Sequence, residues 1–315
     1  KTNLSWRWQR PSQAYKPNMS KPKLAISFSG GRTSAVMTKL CVEKFSDTHH
    51  IAITFANTGS EHENTLKFVD QCDKHFGWNV VWLEAVVNPE KGKGIRHKIV
   101  DFETAARNGE PLEADFAKHG LPGPGWLHCT RDTKELPIKD YLRSVLGWKW
   151  GDFWIAIGIR SDEVDRVSAN RKKLKFVYPL VDAGWTKDDV KRECASWPFD
   201  LDLKGEHYGN CTWCWKKSLR KHLTLAKESP EVFDFPRLME EKYAHITSPN
   251  DPNSERQMFR KHMTTVDIIE MARTTDFEPY VDTDQLDFGF SQPNYDVFLD
   301  TGSACGESCE IGADE

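Results

Sequence analysis

Ser29, Gly30, Gly31, Arg32, Thr33 and Ser34 stand between an apolar run, residues 23–28 (KLAISF), and a helical pattern carried by Ala35, Val36, Leu40 and Val42. Two glycines at such a junction allow positive φ and let the backbone come close to a bound group. The helix that follows presents unpaired N–H groups and the positive end of its dipole, which together cradle an anion. Ser29, Thr33 and Ser34 add hydroxyls, and Arg32 adds a charge. The pattern is neither the G-x-x-x-x-G-K-[ST] phosphate loop nor the G-x-G-x-x-G dinucleotide loop.

The same alternation continues along the chain. Residues 51–55 (IAITF) form a second apolar run, closed by Asn57, Thr58 and Gly59. Residues 63–76 read as a helix with Leu66, Phe68, Val69 and Cys72 on one face, and residues 80–87 (VVWLEAVV) as a third strand. Strand, helix, strand in repetition predicts a doubly wound α/β fold, a parallel sheet covered on both faces. Residues 88–128, rich first in lysine and then in proline and glycine, read as a functional loop. A helix is expected over 135–146, strands over 153–159 and 175–181, and a helix capped by Thr186 with Asp189 three residues on. After about residue 195 the strand pattern stops, and residues 216–227, 237–243 and 266–273 look helical. The expected organisation is an irregular arm (1–22), an α/β domain (23–195), a mainly helical, cysteine-bearing region (196–275) and an acidic tail (276–315).

Composition narrows the function. With 38% hydrophobic and 29% charged residues among 315, the chain is long enough for a real core. A formal net charge of -4 excludes a chain-wide basic field for nucleic acid. No apolar run approaches the roughly 20 residues of a membrane-spanning helix, so no membrane partner is expected. Eight cysteines are too few for a disulfide scaffold. Cys211 and Cys214, and again Cys305 and Cys309, are clustered, which in a cytoplasmic chain reads as metal, cluster or redox chemistry.

The glycine loop, together with residues 55–59 (FANTG) and then Glu61, Glu63 and Thr65, resembles the PP-loop family and, within it, the phosphoadenosine phosphosulfate (PAPS) reductase branch. Residues 158–163 (GIRSDE) with Arg166 are similar to that branch's G-x-R-x-x-E/Q-S-x-x-R segment. Tyr178, Pro179 and Leu180, followed by Trp185, Thr186, Asp189 and Val190, match a further stretch. The resemblance runs from about residue 23 to 190. It implies a sheet of the adenine nucleotide α-hydrolase type with the nucleotide, ATP or PAPS, across the carboxyl ends of the strands. Ser29, Gly30, Gly31, Arg32, Thr33 and Ser34 would hold phosphate or sulfate, and Asn57, Thr58 and Gly59 would lie near the adenosine. Gly158, Arg160, Glu163 and Arg166 would complete the nucleotide site, with Arg160 and Arg166 neutralising the anionic end and Arg160 also catalytic. ATP-cleaving members carry an Asp where Thr33 stands, which leaves a role for Mg²⁺ open.

Iron–sulfur members of the branch carry Cys-Cys, a long gap and C-x-x-C. Here Cys129, preceded by His128, and then Cys211 and Cys214 match, so the resemblance implies a [4Fe–4S] cluster on thiolates. Cys194, Cys305 and Cys309 are the candidates for a fourth ligand, with an open iron as the alternative; a structural zinc completed by His128 or Cys194 would use the same thiols. The branch's mobile catalytic cysteine is echoed by Cys305 and Cys309, although Glu307 and Glu310 beside them would raise a thiol pKa. Two functions follow from the resemblance. One is sulfur transfer or reduction on an adenylyl sulfate, with a thiol reductant or sulfur donor as partner. The other is ATP-dependent adenylation and thiolation of nucleic acid, for which basic segments at 91–98, 171–175 and 216–221 offer phosphate contacts. A nucleotide-sensing protein without catalysis is a third.

Overall fold

The computed structural model describes residues 21–282 apart from 91, 124–125, 248–255 and 261. The N-terminal arm as far as residue 20 and the tail with Cys305 and Cys309 lie outside the described residues.

Six strands form one sheet in the order β4-β3-β2-β1-β5-β6. They are β1 (Lys23–Ser27), β2 (His50–Asn57), β3 (Val81–Val87), β4 (Ile95–Val100), β5 (Phe153–Ala156) and β6 (Phe176–Val177). All neighbours are parallel except β3 and β4. Side chains alternate across the sheet, as the pleat requires. On one face Leu24, Ile26, Ile53 and Phe55 pack with Val36, Met37, Leu66 and Val69 of helices α1 (Arg32–Phe45) and α2 (Glu63–Phe76). On the other, Ala25, Ala52 and Ala56 make room for Ile138, Tyr141 and Leu142 of α5 (Leu136–Ser144). Both faces are therefore covered, and the doubly wound α/β architecture stands.

Residues 88–128 differ from the expected loop: they supply β4 and helix α3 (Glu110–His119). β4 is an antiparallel edge strand, and Arg96, His97 and Lys98 break its apolar alternation, a common device for blunting a sheet edge. The 175–181 strand is shorter than expected, because Pro179 opens the helix α6 (Pro179–Ala183). Thr186 caps α7 (Lys187–Cys194) in a reciprocal box with Asp189, a feature contributing about 1 kcal/mol.

No strand follows β6 among the described residues. Helices α8 (Leu219–Glu228), α9 (Asp234–Tyr243) and α10 (Thr265–Thr274) build a second core with Trp213, Trp215, Phe233, Met239 and Phe259. Leu112 and Phe116 of α3 join that core, so the 88–128 segment ties the sheet to the helical region.

Candidate functional site: a phosphate loop beside a cysteine cavity

Chain order reverses between β1 and β5: β2, β3 and β4 lie on one side of β1, β5 and β6 on the other. In open α/β sheets the crevice outside the carboxyl ends of such a pair is where ligands bind. An open cleft lies there, lined by Ser29–Thr33 after β1 and Arg160 after β5. Gly30 has φ +83°, and a Cβ on it would lie 2.7 Å from Thr65 Cγ2, so the turn admits only glycine without displacement. Gly31 caps α1 in extended conformation with no side-chain partner, leaving the helix N-terminus to the cleft.

Ser34 has a different role from its neighbours. It is buried, its Oγ accepts from Ser29 Oγ (2.9 Å) and donates to the Gly31 carbonyl (3.0 Å), and it braces the loop from beneath. Arg32 holds Asp200 in a two-pronged ion pair at 2.7 and 2.8 Å, and the guanidinium holds the Asp200 carboxyl below the usual carboxylate range. Arg160 is buried and donates to Thr33 Oγ1 (3.0 Å) and to Asp162 (3.2 Å). Thr33 thus serves as an acceptor for the arginine. Arg166 pairs with Glu163 at 2.5 Å, and neither they nor Gly158 line the cleft. Lys187 and Lys191 of α7, with Thr65, Leu201, Leu203 and Asn210, do line it. The two lysines carry no motif; their only mark in the sequence is a spacing of one helical turn behind the Thr186 cap.

Asn57, Thr58 and Gly59 turn away from this cleft. Asn57 is fully buried and donates to Glu84 (2.8 Å) and the Ala106 carbonyl (2.9 Å). Gly59, at φ +78°, packs so closely that a Cβ would meet Gly109 N at 2.9 Å. Thr58 faces a second, narrow cavity lined by Cys129, Cys211, Cys214, Lys134, Trp213, Trp215 and Lys216 among others. Its hydroxyl lies 2.8 Å from both Glu61 oxygens and 3.3 Å from Cys211 Sγ. Thr212 N donates to the Ser60 carbonyl, and Glu61 pairs with Cys211 as an isolated bridge. The turn after β2 is therefore stitched to the C-x-x-C segment.

The structure brings Cys129, Cys211 and Cys214 around one cavity and leaves Cys194 elsewhere. Cys194 ends α7 in the sheet-side core beside Cys72, and burial pushes its thiol up to about 12. Packed in a separate core and absent from the cavity lining, Cys194 is not placed as the fourth ligand here, a correction to the expected set. His128 is buried and tied to Asp115 through Nδ1 at 2.7 Å; it does not line the cysteine cavity.

The sequence pattern of the phosphoadenosine phosphosulfate reductase domain matches residues 23–192. The chain belongs to that family. The PAPS reductase match ends two residues short of Cys194, within α7, so it contains the whole sheet and excludes the C-x-x-C segment. An uncharacterized nin region protein of Escherichia phage lambda is 30% identical over 292 residues, covering 91% of this chain and 94% of its own length. An uncharacterized protein of Methanocaldococcus jannaschii is 26% identical over 227 residues, 66% of this chain and 45% of its own. No helix among the described residues is long and apolar enough to cross a membrane.

Proposed function

We propose that this PAPS reductase-family chain binds an adenine nucleotide in the β1/β5 cleft and uses it in sulfur transfer or reduction, with a [4Fe–4S] cluster on Cys129, Cys211 and Cys214. The observation that carries the reading is the cleft lining: a helix N-terminus, Ser29–Thr33, Arg160, Lys187 and Lys191 converge on one opening at the point of strand reversal. Such a set suits a phosphate or sulfate, which would compete with Glu206, also in the lining, for Lys187. Arg160, fixed by Thr33, orients the anionic end, while Ser34 and Gly30 keep the backbone donors in position.

The cysteine cavity fits a cluster on its own chemistry. Three thiols, two lysines and two buried indoles line it, and Trp213 Nε1 and Trp215 Nε1 have no hydrogen-bond partner. Donors left open beside thiolates suit a group with accepting sulfides, and the lysines balance its charge. When bound, a cluster supplies redox or Lewis-acid chemistry; the chain's own part is to hold it and to shield it from water. Thr58 and Glu61 tie the turn after β2 to Cys211 at the cavity wall.

Anaerobic purification with iron, sulfide and zinc analysis, followed by thermal shift against ATP, AMP and PAPS, tests the reading. Brown protein with matching iron and sulfide, stabilised by PAPS, is expected. Colourless zinc-loaded protein would overturn the cluster, no response to any nucleotide would overturn the cleft, and a response to ATP alone would replace sulfur reduction with ATP-dependent thiolation.

A further inference from the structure

Helix α3, the short helix α4 (His128–Thr130) and the wide turn Arg131–Glu135 enclose a polar group that the proposed chemistry does not use. Asp115 is 0% exposed, Asp132 1% and His128 5%. One ligand atom from each lies within 4.8 Å of the other two, the one such triad of metal-ligand type among the described residues. Asp115 Oδ2 is 2.7 Å from His128 Nδ1, and His119 Nε2 is 3.4 Å from Asp132 Oδ2. Arg131 grips Asp132 at 2.6 and 2.9 Å.

The interactions do not satisfy the group. Asp115 Oδ1 and His128 Nε2 are buried with no hydrogen-bond partner, and most buried polar atoms in folded proteins do have one. Two buried carboxylates share this dry site with one guanidinium. An ion shared among the carboxylates and imidazole would remove both defects. The chain also departs from the regular α-helix here: residues 131–135 form a π turn, a distortion that is frequent at functional sites.

We propose that Asp115, His128 and Asp132 bind a divalent first-row transition ion, with the partly exposed His119 beside Asp132 as a neighbour that orients it. Mixed imidazole and carboxylate donors suit Zn²⁺, Fe²⁺, Mn²⁺ or Co²⁺ and not a soft ion, which thiolates would take. The spacing fits: metal–ligand bonds of about 2.0–2.2 Å bring neighbouring donors well within 4.8 Å of one another. None of these four residues lines the cavity of Cys129, Cys211 and Cys214, so the ion would be a second centre. By fixing His128, it would hold the start of the segment that carries Cys129.

The test uses the full chain after chelator treatment, with Mn²⁺ followed by electron paramagnetic resonance and Co²⁺ by visible spectroscopy. One saturable equivalent is expected, with Co²⁺ bands lacking thiolate charge transfer. Affinity should fall at least about tenfold in Asp115→Asn and in His119→Ala and stay unchanged in Cys211→Ser. Should Asp115→Asn fail to fold, His119→Ala alone decides, because His119 is partly exposed at the edge of the group. Absence of saturable binding of either ion, or unchanged affinity in His119→Ala, would overturn the proposal. Mn²⁺ binding and its response to His119→Ala depend on neither the nucleotide nor the cluster, so the metal site can fail while the proposed function holds, and the reverse.

Discussion

The β1/β5 cleft and the cysteine cavity share no lining residue, and they are built in opposite ways. The cleft is made by backbone: a glycine at positive φ, an open helix N-terminus and a loop braced from beneath by Ser34. The cavity is made by side chains from four separate stretches, at 58, 112, 129–134 and 211–216. A site built from backbone tolerates change in its side chains but none at its glycine. A site built from side chains loses its function with any one donor, while the fold around it survives.

Gly30→Val presses hardest on this contrast. The new Cβ would sit 2.7 Å from Thr65 Cγ2 and 3.1 Å from Val69 Cγ2, in a backbone conformation that branched residues avoid. The strain should cost about 1–3 kcal/mol, and nucleotide affinity should fall by about two orders of magnitude as the N–H donors lose their aim. Melting curves and nucleotide titration measure the two effects. Iron content should not move; loss of iron together with nucleotide binding would mean that the two sites are one.

The cysteines should show the reverse. Cys129→Ser, Cys211→Ser and Cys214→Ser should each lose the visible absorbance of the cluster, while nucleotide affinity stays within about twofold, as expected of sites without shared partners. Cys194→Ser should keep the cluster, since that thiol is buried beside Cys72 in the other core. Iron analysis and nucleotide titration of the four variants check this. A colourless Cys194→Ser would reverse the assignment.

The same contrast explains what could be read from the chain before its structure. The glycine loop, β1 to β3, the Thr186 cap and the three late helices are local patterns, in which a residue and its consequence lie within one or two turns. Cys129, Cys211 and Cys214 could be grouped only because a family resemblance supplied the pairing. β4 and α3 were missed where local signals conflict: Arg96, His97 and Lys98 obscure the strand, and Lys118 is buried in α3 with its ammonium on the Lys93 carbonyl. Asn57 and Gly59 were placed at the ligand by motif alone; their partners, Glu84 and Gly109, are distant in sequence. Lys187 and Lys191 escaped because lysines one helical turn apart look the same on a solvated face as in a cleft.

Thr58→Val tests whether the two sites communicate. The hydroxyl spans Glu61 and Cys211; Glu61 keeps its bond from Thr58 N and its pairing with Lys134, so removal should cost about 1 kcal/mol. The shape is otherwise kept, so the cluster should still assemble with shifted absorbance or potential. A cycle with Glu61→Gln should show a coupling of about 0.5–3 kcal/mol; strict additivity would mean that the turn is only a structural seam.

The smallest effect is expected at the rim, where Arg32 meets Asp200. Both side chains are partly exposed, at 29% and 52%, so the pair contributes about 0.2–1 kcal/mol after solvent screening. Its sign with pH is fixed by the depressed Asp200 carboxyl: a group lowered in the folded state stabilises fully above its unfolded value near 4 and ceases to do so as pH falls through the folded one. Asp200→Asn should therefore cost little stability at neutral pH and remove that part of the acid dependence. For the nucleotide the sign is opposite. Removing a carboxylate from the edge of an anion cleft should tighten ATP or PAPS by about twofold to fivefold at low salt, an advantage that screening erases near physiological ionic strength. Titrations at two salt concentrations separate this from loss of the Arg32 geometry, because weaker binding at both would mean that Asp200 positions Arg32 for the ligand instead of competing for it.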